Sequence, residues 1–334
     1  MHIWNGLQEV PAALGPTAVT IGNFDGVHLG HQHVLNQLVA AACEHDAASV
    51  AISFDPHPLQ VHRPEDCPEM LTGVTEKMRR LQANGLEGLL MLHYTLDLAA
   101  LTAEEFVRTY LVDALRAAVV VVGHDVRFGQ GNSGTFETMV ELGQRYGFSV
   151  VGVEDYSAST DRRCSSTWVR EALREGDVTS ACEVLGRPHS VLGTVVHGAA
   201  RGRELGFPTA NLGSDAEGMI PADGVYAGWF VDEHGKYWPA AISVGSNPTF
   251  DGIERVVESH VIDRPEEKIE DFDLYGQVVR VEFVQRLRGM VAYEGVEKLV
   301  EQMTQDVCDA RDVLAQTWPG QVSQPSAASD STAA

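Results

Sequence analysis

Apolar runs that alternate with helix-periodic segments constrain this chain more than any other feature. Thr17–Ile21, Ser49–Phe54, Gly88–His93, Ala117–Val122 and Phe148–Val153 are short and mostly apolar, as strands buried on both faces are. Helical spacing fills the gaps. Val34, Leu35, Leu38, Val39 and Ala42 mark a helix over Gln32–Glu44, and Thr75–Gln82 is a second, closed by Asn84-Gly85. Thr102 and Glu105 spell a capping box for a helix reaching Ala114, and Thr135–Tyr146 is a further one. This alternation predicts an α/β class with a doubly wound parallel sheet, whose ligands bind beyond the carboxyl ends of the strands.

The loops after the strands carry the chemistry. Thr20–His31 reads Thr-Ile-Gly-Asn-Phe-Asp-Gly-Val-His-Leu-Gly-His between the first strand and its helix. Free backbone N–H groups and a helix dipole meet there, and Gly26 and Gly30 allow close backbone approach. His28 and His31, three apart, can face one spot and meet charge on a phosphate. An ordinary turn is the bland alternative, outweighed once Gly22, Phe24, Asp25 and Gly26 are counted with the histidines. A zinc site from His28, His31 and His33 lacks a His-Glu-x-x-His glutamate and a nearby Cys. Phe54-Asp55-Pro56-His57-Pro58 is a stiff loop in which Phe54 and His57 can flank a flat ring. Gly129, Gly131 and Gly134 spell Gly-x-Gly-x-x-Gly, but several residues past their strand, which excludes a dinucleotide fingerprint. Ser165-Ser166-Thr167 with Arg170 opens a short helix, where the hydroxyls cap it or bind phosphate. A second short helix and hinge spans Arg174–Arg187.

Beyond a boundary near Leu185–His189 the pattern changes. Val191–Val196, Gly224–Asp232, Lys236–Ser243, Val256–Asp263 and Gln277–Gln285 read as strands joined by Gly, Pro and Asp turns, which predicts an antiparallel β-barrel. A terminal helix, Val296–Ala315, presents Val296, Leu299, Val300, Met303, Val307 and Val313 or Leu314 inward. Gly202–Asn211 shows no helix or strand pattern and by itself reads as a polar loop with a proline. Thr209 and Asn211 are two apart, so in extended chain both oxygens would point one way, which suits a hard cation such as Mg²⁺. Glu258 shares a strand face with Val256 and His260. From Gln321 onward Ser, Ala, Gln and Pro predict a disordered tail.

The 334 residues suffice for two cores. A net charge of −23 disfavours an extended nucleic-acid surface. Five scattered cysteines predict reduced cytoplasmic thiols. No signal peptide or membrane-long apolar run is visible, so no membrane partner is expected, and self-association is left open.

Several motifs, in order, resemble the bifunctional prokaryotic riboflavin kinase / FMN adenylyltransferase (FAD synthetase) family: the His-x-Gly-His stretch, Phe-Asp-Pro-His-Pro, the 123–134 loop (with Val126 where the family has Phe), Ser-Ser-Thr-x-hydrophobic-Arg, and Gly206-Phe207-Pro208-Thr209-Ala210-Asn211. Pro221–Tyr226, Ser243–Phe250 and Asp273–Gly276 add to it. The resemblance implies a nucleotidylyltransferase-like domain over 1–186, a riboflavin kinase domain over 187–318 and a tail over 319–334. It implies His28 and His31 as catalytic in adenylyl transfer, with Gly22, Phe24, Asp25, Gly26, Asp125, Ser165, Thr167 and Arg170 on ATP. Asp55, Pro56, His57 and Pro58 would bind flavin. In the kinase it implies Glu258 as the base, Gly206, Pro208 and Asn247 on ATP phosphates, and Thr209 and Asn211 on Mg²⁺. Riboflavin, FMN, FAD and ATP are the small molecules it implies. Another nucleotidylyltransferase fused to a barrel, and a flavin-binding regulator without turnover, are the alternatives.

Overall fold

Thr17–Ile21 does form a strand, and its residues explain its place. Thr17, Ala18, Val19 and Thr20 are all buried, so both of its faces are covered. In this computed structural model it is preceded by an edge strand the sequence did not predict. The described residues are 1–157, 162–198, 202, 205–249, 252–263, 274–291, 293 and 295–317, with the side chains of 247–249 and 252–254 excepted. They pack as two compact units, Met1–Trp168 and a second from Val169 onward.

The first unit holds β1 (His2–Asn5), β2 (Thr17–Ile21), β3 (Ala48–Asp55), β4 (Gly88–His93), β5 (Ala117–Gly123) and β6 (Ser149–Val153). They form one sheet in the order β1-β4-β3-β2-β5-β6, and every pairing is parallel. The chain therefore winds outward from β2 through β3 to β4, then returns to β5 on the other side. That reversal between β2 and β5 is the topological switch point, where a crevice opens beyond the strand ends. Helix Leu29–Glu44 buries Leu35, Leu38, Ala41 and Ala42 against one face with Ala18, Ala51 and Val121. On the other face Val19, Ile52 and Val120 meet Phe106, Leu111 and Met139. The capping box forms as predicted, but the helix it starts, Ala103–Phe106, continues as a π-helical stretch, Val107–Ala114. β1 escaped prediction because only Trp4 of its four residues is buried, which leaves no pattern to read.

Helix Ser166–Glu175 crosses the division at 168/169, which falls earlier than the boundary expected from sequence. Residues 178–185 side with the second unit because helix Val178–Leu185 packs on β7 (His189–Val196) and on a later strand. That unit contains β7, β8 (Ala210–Leu212), β9 (Gly224–Val231), β10 (Tyr237–Thr249), β11 (Gly252–Val261) and β12 (Val278–Arg288). They close into a barrel, β10-β11-β8-β7-β12-β9, antiparallel throughout. The hairpin at Asp232–Gly235 is held by the Asp232 carboxylate, which accepts from the N–H groups of His234 and Lys236. β8 corrects the reading of Gly202–Asn211 as wholly irregular: its last residues, Ala210 and Asn211, are strand. The terminal helix has the predicted bounds, Val296–Ala315, and packs Val307, Ala310 and Leu314 onto Ala227 and Ala241. Val296 does not belong to that face. It is 59% exposed, and buried Asp306 and Ala310 take part instead. The stretch 321–334 and Asp273 lie outside the described residues.

Candidate active sites

The first site lies at the switch point. His28 caps helix Leu29–Glu44: its Nδ1 accepts from the His31 N–H at 3.3 Å. An accepting Nδ1 carries no proton, so the neutral ring keeps its proton on Nε2 and can donate from there. The His28 and His31 rings stack, centroids 3.7 Å apart and 21° from parallel, and Phe24 meets His31 edge-on at 5.4 Å. Gly30 makes the stacking feasible, since a Cβ there would lie 3.1 Å from the His28 ring and 3.2 Å from the Cys164 carbonyl. Phe24 and Val27 hold left-handed φ values of 50° and 41°. For a β-branched residue that conformation is strained, and strain of this kind persists only where surrounding contacts over-determine the loop.

Those contacts are on Asp25. Its carboxylate is buried and accepts from the backbone N–H of Leu71 and of Thr72, and its carbonyl accepts from Ser166 Oγ. Asp25 and Gly26 thus anchor the loop rather than line the cleft. The cleft, about 230 Å³, is lined by Gly22, Phe24, His28, His31, Asp125 and Ser165 among the expected residues. Val126 lines it too. Ser165 also caps its helix, accepting from Trp168 N–H at 3.2 Å. Thr167 is exposed on the first turn, and Arg170 is buried a turn later, beyond the unit division. Asp55–Pro58 is not in the cleft wall. His57 caps the following helix through Nδ1, and its Nε2 lies 3.2 Å from Asn23 Nδ2, which ties this loop to the His-x-Gly-His loop. Gly129–Gly134 forms a 3₁₀ turn closed by a Phe128–Gly134 bridge, not a strand-tight phosphate turn. Sequence reading missed Arg163, which lines the cleft and bridges Asp125 at 2.5 Å and Asp155 at 3.1 Å. It stands two residues before Ser165, and only that nearness could have flagged it.

The second site lies in the barrel unit. Asn211 on β8 is directly opposite Glu258 on β11. Thr209 Oγ1 donates to Glu258 Oε2 at 3.3 Å, and Asn211 Nδ2 donates to the Thr209 Oγ1 and carbonyl, each at 3.3 Å. The two-residue spacing thus puts both side chains beside the carboxylate. His260 Nδ1 donates to the Pro208 carbonyl at 2.9 Å and steadies the loop before them. Thr209 and Glu258 open into a cavity of about 240 Å³ with apolar walls that include Phe207, Val225, Leu299 and Met303. Arg288 in its wall clamps Asp306 of the terminal helix with bonds of 2.8 and 2.6 Å, and that carboxylate raises the guanidinium pKa further. Gly206 and Pro208 lie on the same loop but not in the cavity wall, and the Asn247 side chain is outside the described residues.

A parallel α/β unit with its crevice at a switch point, followed by a closed barrel with its own pocket, defines a two-site protein of the nucleotidyl- and phosphotransferase kind. The comparisons agree. A family model for FAD synthetase matches residues 10–168, and one for riboflavin kinase matches 185–314. The bifunctional riboflavin kinase/FMN adenylyltransferase of Escherichia coli K12 is 34% identical over 320 residues, covering 96% of this chain and 100% of the relative. That of Bacillus subtilis is 31% identical over 314 residues, 93% of this chain and 96% of the relative. A crystal structure described as a macrolide-efflux protein from Streptococcus pneumoniae superposes with a TM-score of 0.81 at 31% identity, covering 95% of this chain and 98% of that one. Among the described residues here, no helix is long and apolar enough to cross a membrane. The chain belongs to the bifunctional riboflavin kinase/FMN adenylyltransferase family.

Proposed function

We propose that this chain converts riboflavin to FMN and FMN to FAD, each step with one ATP. The observation that carries the reading is that one chain holds both the stacked His28–His31 pair at the switch point and the Thr209–Asn211–Glu258 cluster in the barrel.

In the kinase, Glu258 takes the proton of the ribityl 5′-hydroxyl as its oxygen attacks the γ-phosphorus and ADP leaves. The apolar cavity that Phe207 and Met303 help to line is the place for the flavin ring. Hydroxyl, amide and carboxylate oxygens are a donor set that fits Mg²⁺, which Thr209 and Asn211 would hold. Mg²⁺ supplies relief of the charge on the ATP phosphates. Gly206 and Pro208 would take those phosphates, a role the reading also assigns to Asn247.

In the adenylyltransferase, an FMN phosphate oxygen attacks the α-phosphorus of ATP and pyrophosphate leaves. The nucleophile is already an anion, so no base is needed; alignment and charge relief are. His28, donating from Nε2, and His31 supply that relief, with Ser165, Thr167 and Arg170 toward the triphosphate. Gly22, Phe24 and Asp125 hold the nucleotide, Asp25 and Gly26 fix the loop, and Asp55–Pro58 face the flavin.

The test is to incubate the protein with riboflavin, ATP and Mg²⁺ and resolve the flavins by chromatography. FAD is the expected product. Unchanged riboflavin overturns the reading, and tight flavin binding without turnover would leave a regulator in its place.

A further inference from the structure

One short segment outside both sites grips two neighbouring loops, the one that carries His28 and His31 and the one that opens at Asp55. Leu71 N–H donates to the Asp25 carboxylate at 3.0 and 3.2 Å, and Thr72 N–H at 3.2 Å. Thr72 Oγ1 accepts from Gly26 N–H at 3.3 Å. One turn into the helix Val74–Ala83, Lys77 Nζ donates to the Phe54 carbonyl at 3.2 Å, the last peptide oxygen before Asp55–Pro58. Asp25, Leu71, Thr72 and Lys77 are all at least nine-tenths buried.

Lys77 is an odd residue for that position. Burial pushes its ammonium below the usual lysine range, and the carboxylates of Asp25 and Asp55 pull it partly back. A methionine of similar length would be buried at lower cost. What methionine lacks is a charge that attracts both loops at once and a donor for the Phe54 carbonyl. Asp25 belongs to the loop that carries His28 and His31; Asp55 opens the loop tied to it through His57 and Asn23.

We propose that Leu71–Lys77 is a bracket that sets the spacing of the two loops, and that Lys77 is a positioning residue for adenylyl transfer. The inference rests on the proposed assignment of Asp55–Pro58 to the flavin phosphate acceptor. Its logic is geometric: the acceptor's phosphate and the donor's α-phosphorus approach from different loops, and an error of about 1 Å costs on the order of 100-fold in rate.

The test uses the full chain with Lys77→Met and Lys77→Arg. FAD formation from FMN and ATP, FMN formation from riboflavin, and thermal melting are measured for each. The expected result for Lys77→Met is a kcat for FAD formation lowered about 10- to 100-fold and a raised KM for FMN. Its riboflavin phosphorylation is unchanged, and Lys77→Arg recovers part of the loss. Wild-type kcat and KM in Lys77→Met overturn the proposal. So does a loss that disappears when the assay is run well below the melting transition, since Lys77 would then only hold the fold. Should Lys77→Met not fold, Thr72→Val, which removes the Gly26 anchor, must lower the same kcat, and wild-type kinetics in it overturn the proposal equally. A wild-type chain that makes no FAD sinks the proposed function instead.

Discussion

His28 and Glu258 act on different phosphates, and each is fixed by bonds within its own unit. His28→Ala is therefore expected to lower adenylyl transfer by about 100- to 1,000-fold, the scale of losing one aimed donor, with riboflavin phosphorylation retained. Glu258→Ala should do the reverse, costing roughly 100- to 10,000-fold in FMN formation. Rates of both half-reactions in both variants check this; loss of both activities in one correctly folded variant contradicts separate sites. A second residue-scale prediction concerns Thr20. It is 1% exposed at the cleft floor, and its Oγ1 has no hydrogen-bond partner among the described residues. A buried unsatisfied hydroxyl costs about 1–3 kcal/mol, so Thr20→Val should raise the unfolding free energy by about 1 kcal/mol in denaturant titration. His28 and His31 stand in a dense run of glycines and turn residues that marks a site by itself. Glu258, Thr209 and Asn211 were singled out through the family resemblance, because a strand carboxylate and a polar loop with proline read as ordinary on their own. Arg163 and Lys77 were not. Their roles come from partners far away in sequence, Asp125 for one and Phe54 and Asp25 for the other, which no spacing rule connects.

Elements were legible where period and length agree. Thr17–Ile21, Gly88–His93 and Val296–Ala315 have the bounds their patterns predict. The misses are the short and the half-covered. β1 and β8 have too few residues for a period of two to show. Val296 keeps the helical period but lies on an opening turn that stays exposed, while the apolar contact comes later, at Val307, Ala310 and Leu314. The helix Val178–Leu185 shows how little its hold depends on length. It has eight residues, too few to be stable alone, and relies on packing and on its ends. Asp177 caps it, accepting from the Ser180 N–H at 3.0 Å and from Ser180 Oγ at 2.6 Å, and those bonds hold the Asp177 carboxyl below its ordinary 3.8. Gly186 closes it at φ 68°, a left-handed position suited to glycine. Asp177→Ala should cost about 1 kcal/mol. The sign follows from the lowered pKa. The folded state prefers the ionised form, so the advantage over the alanine variant is complete above about pH 4 and fades as pH falls through the lower, folded-state pKa. Urea titrations of the two proteins at pH 7 and pH 3 check it; a constant difference across that range would mean the cap does not depend on the charge.

At the scale of the molecule, each cleft is walled by residues of a single unit: Thr20 to Ser165 for one, Gly202 to Val307 for the other. Among the described residues the lining of each cleft comes from one unit, so a substitution in one lining should leave the other lining intact. The two reactions also share a diffusible compound, since FMN is the product of the first and the acceptor of the second. These two facts predict complementation in trans. His28→Ala alone, given riboflavin, ATP and Mg²⁺, should stop at FMN; Glu258→Ala alone should leave riboflavin nearly untouched. Mixed at equal concentration, they should make FAD, because FMN released by the first protein can enter the intact cleft of the second. FAD should appear after a lag, set by the time free FMN takes to approach the KM of the adenylyltransferase, and the lag should shorten in proportion as the His28→Ala protein is increased. Added FMN should abolish it. Stopped samples resolved by chromatography give the whole time course. A mixture that accumulates FMN without FAD, while Glu258→Ala still adenylylates added FMN, would mean that FMN made on one chain is withheld from the next, and two self-contained clefts in series would no longer describe the enzyme.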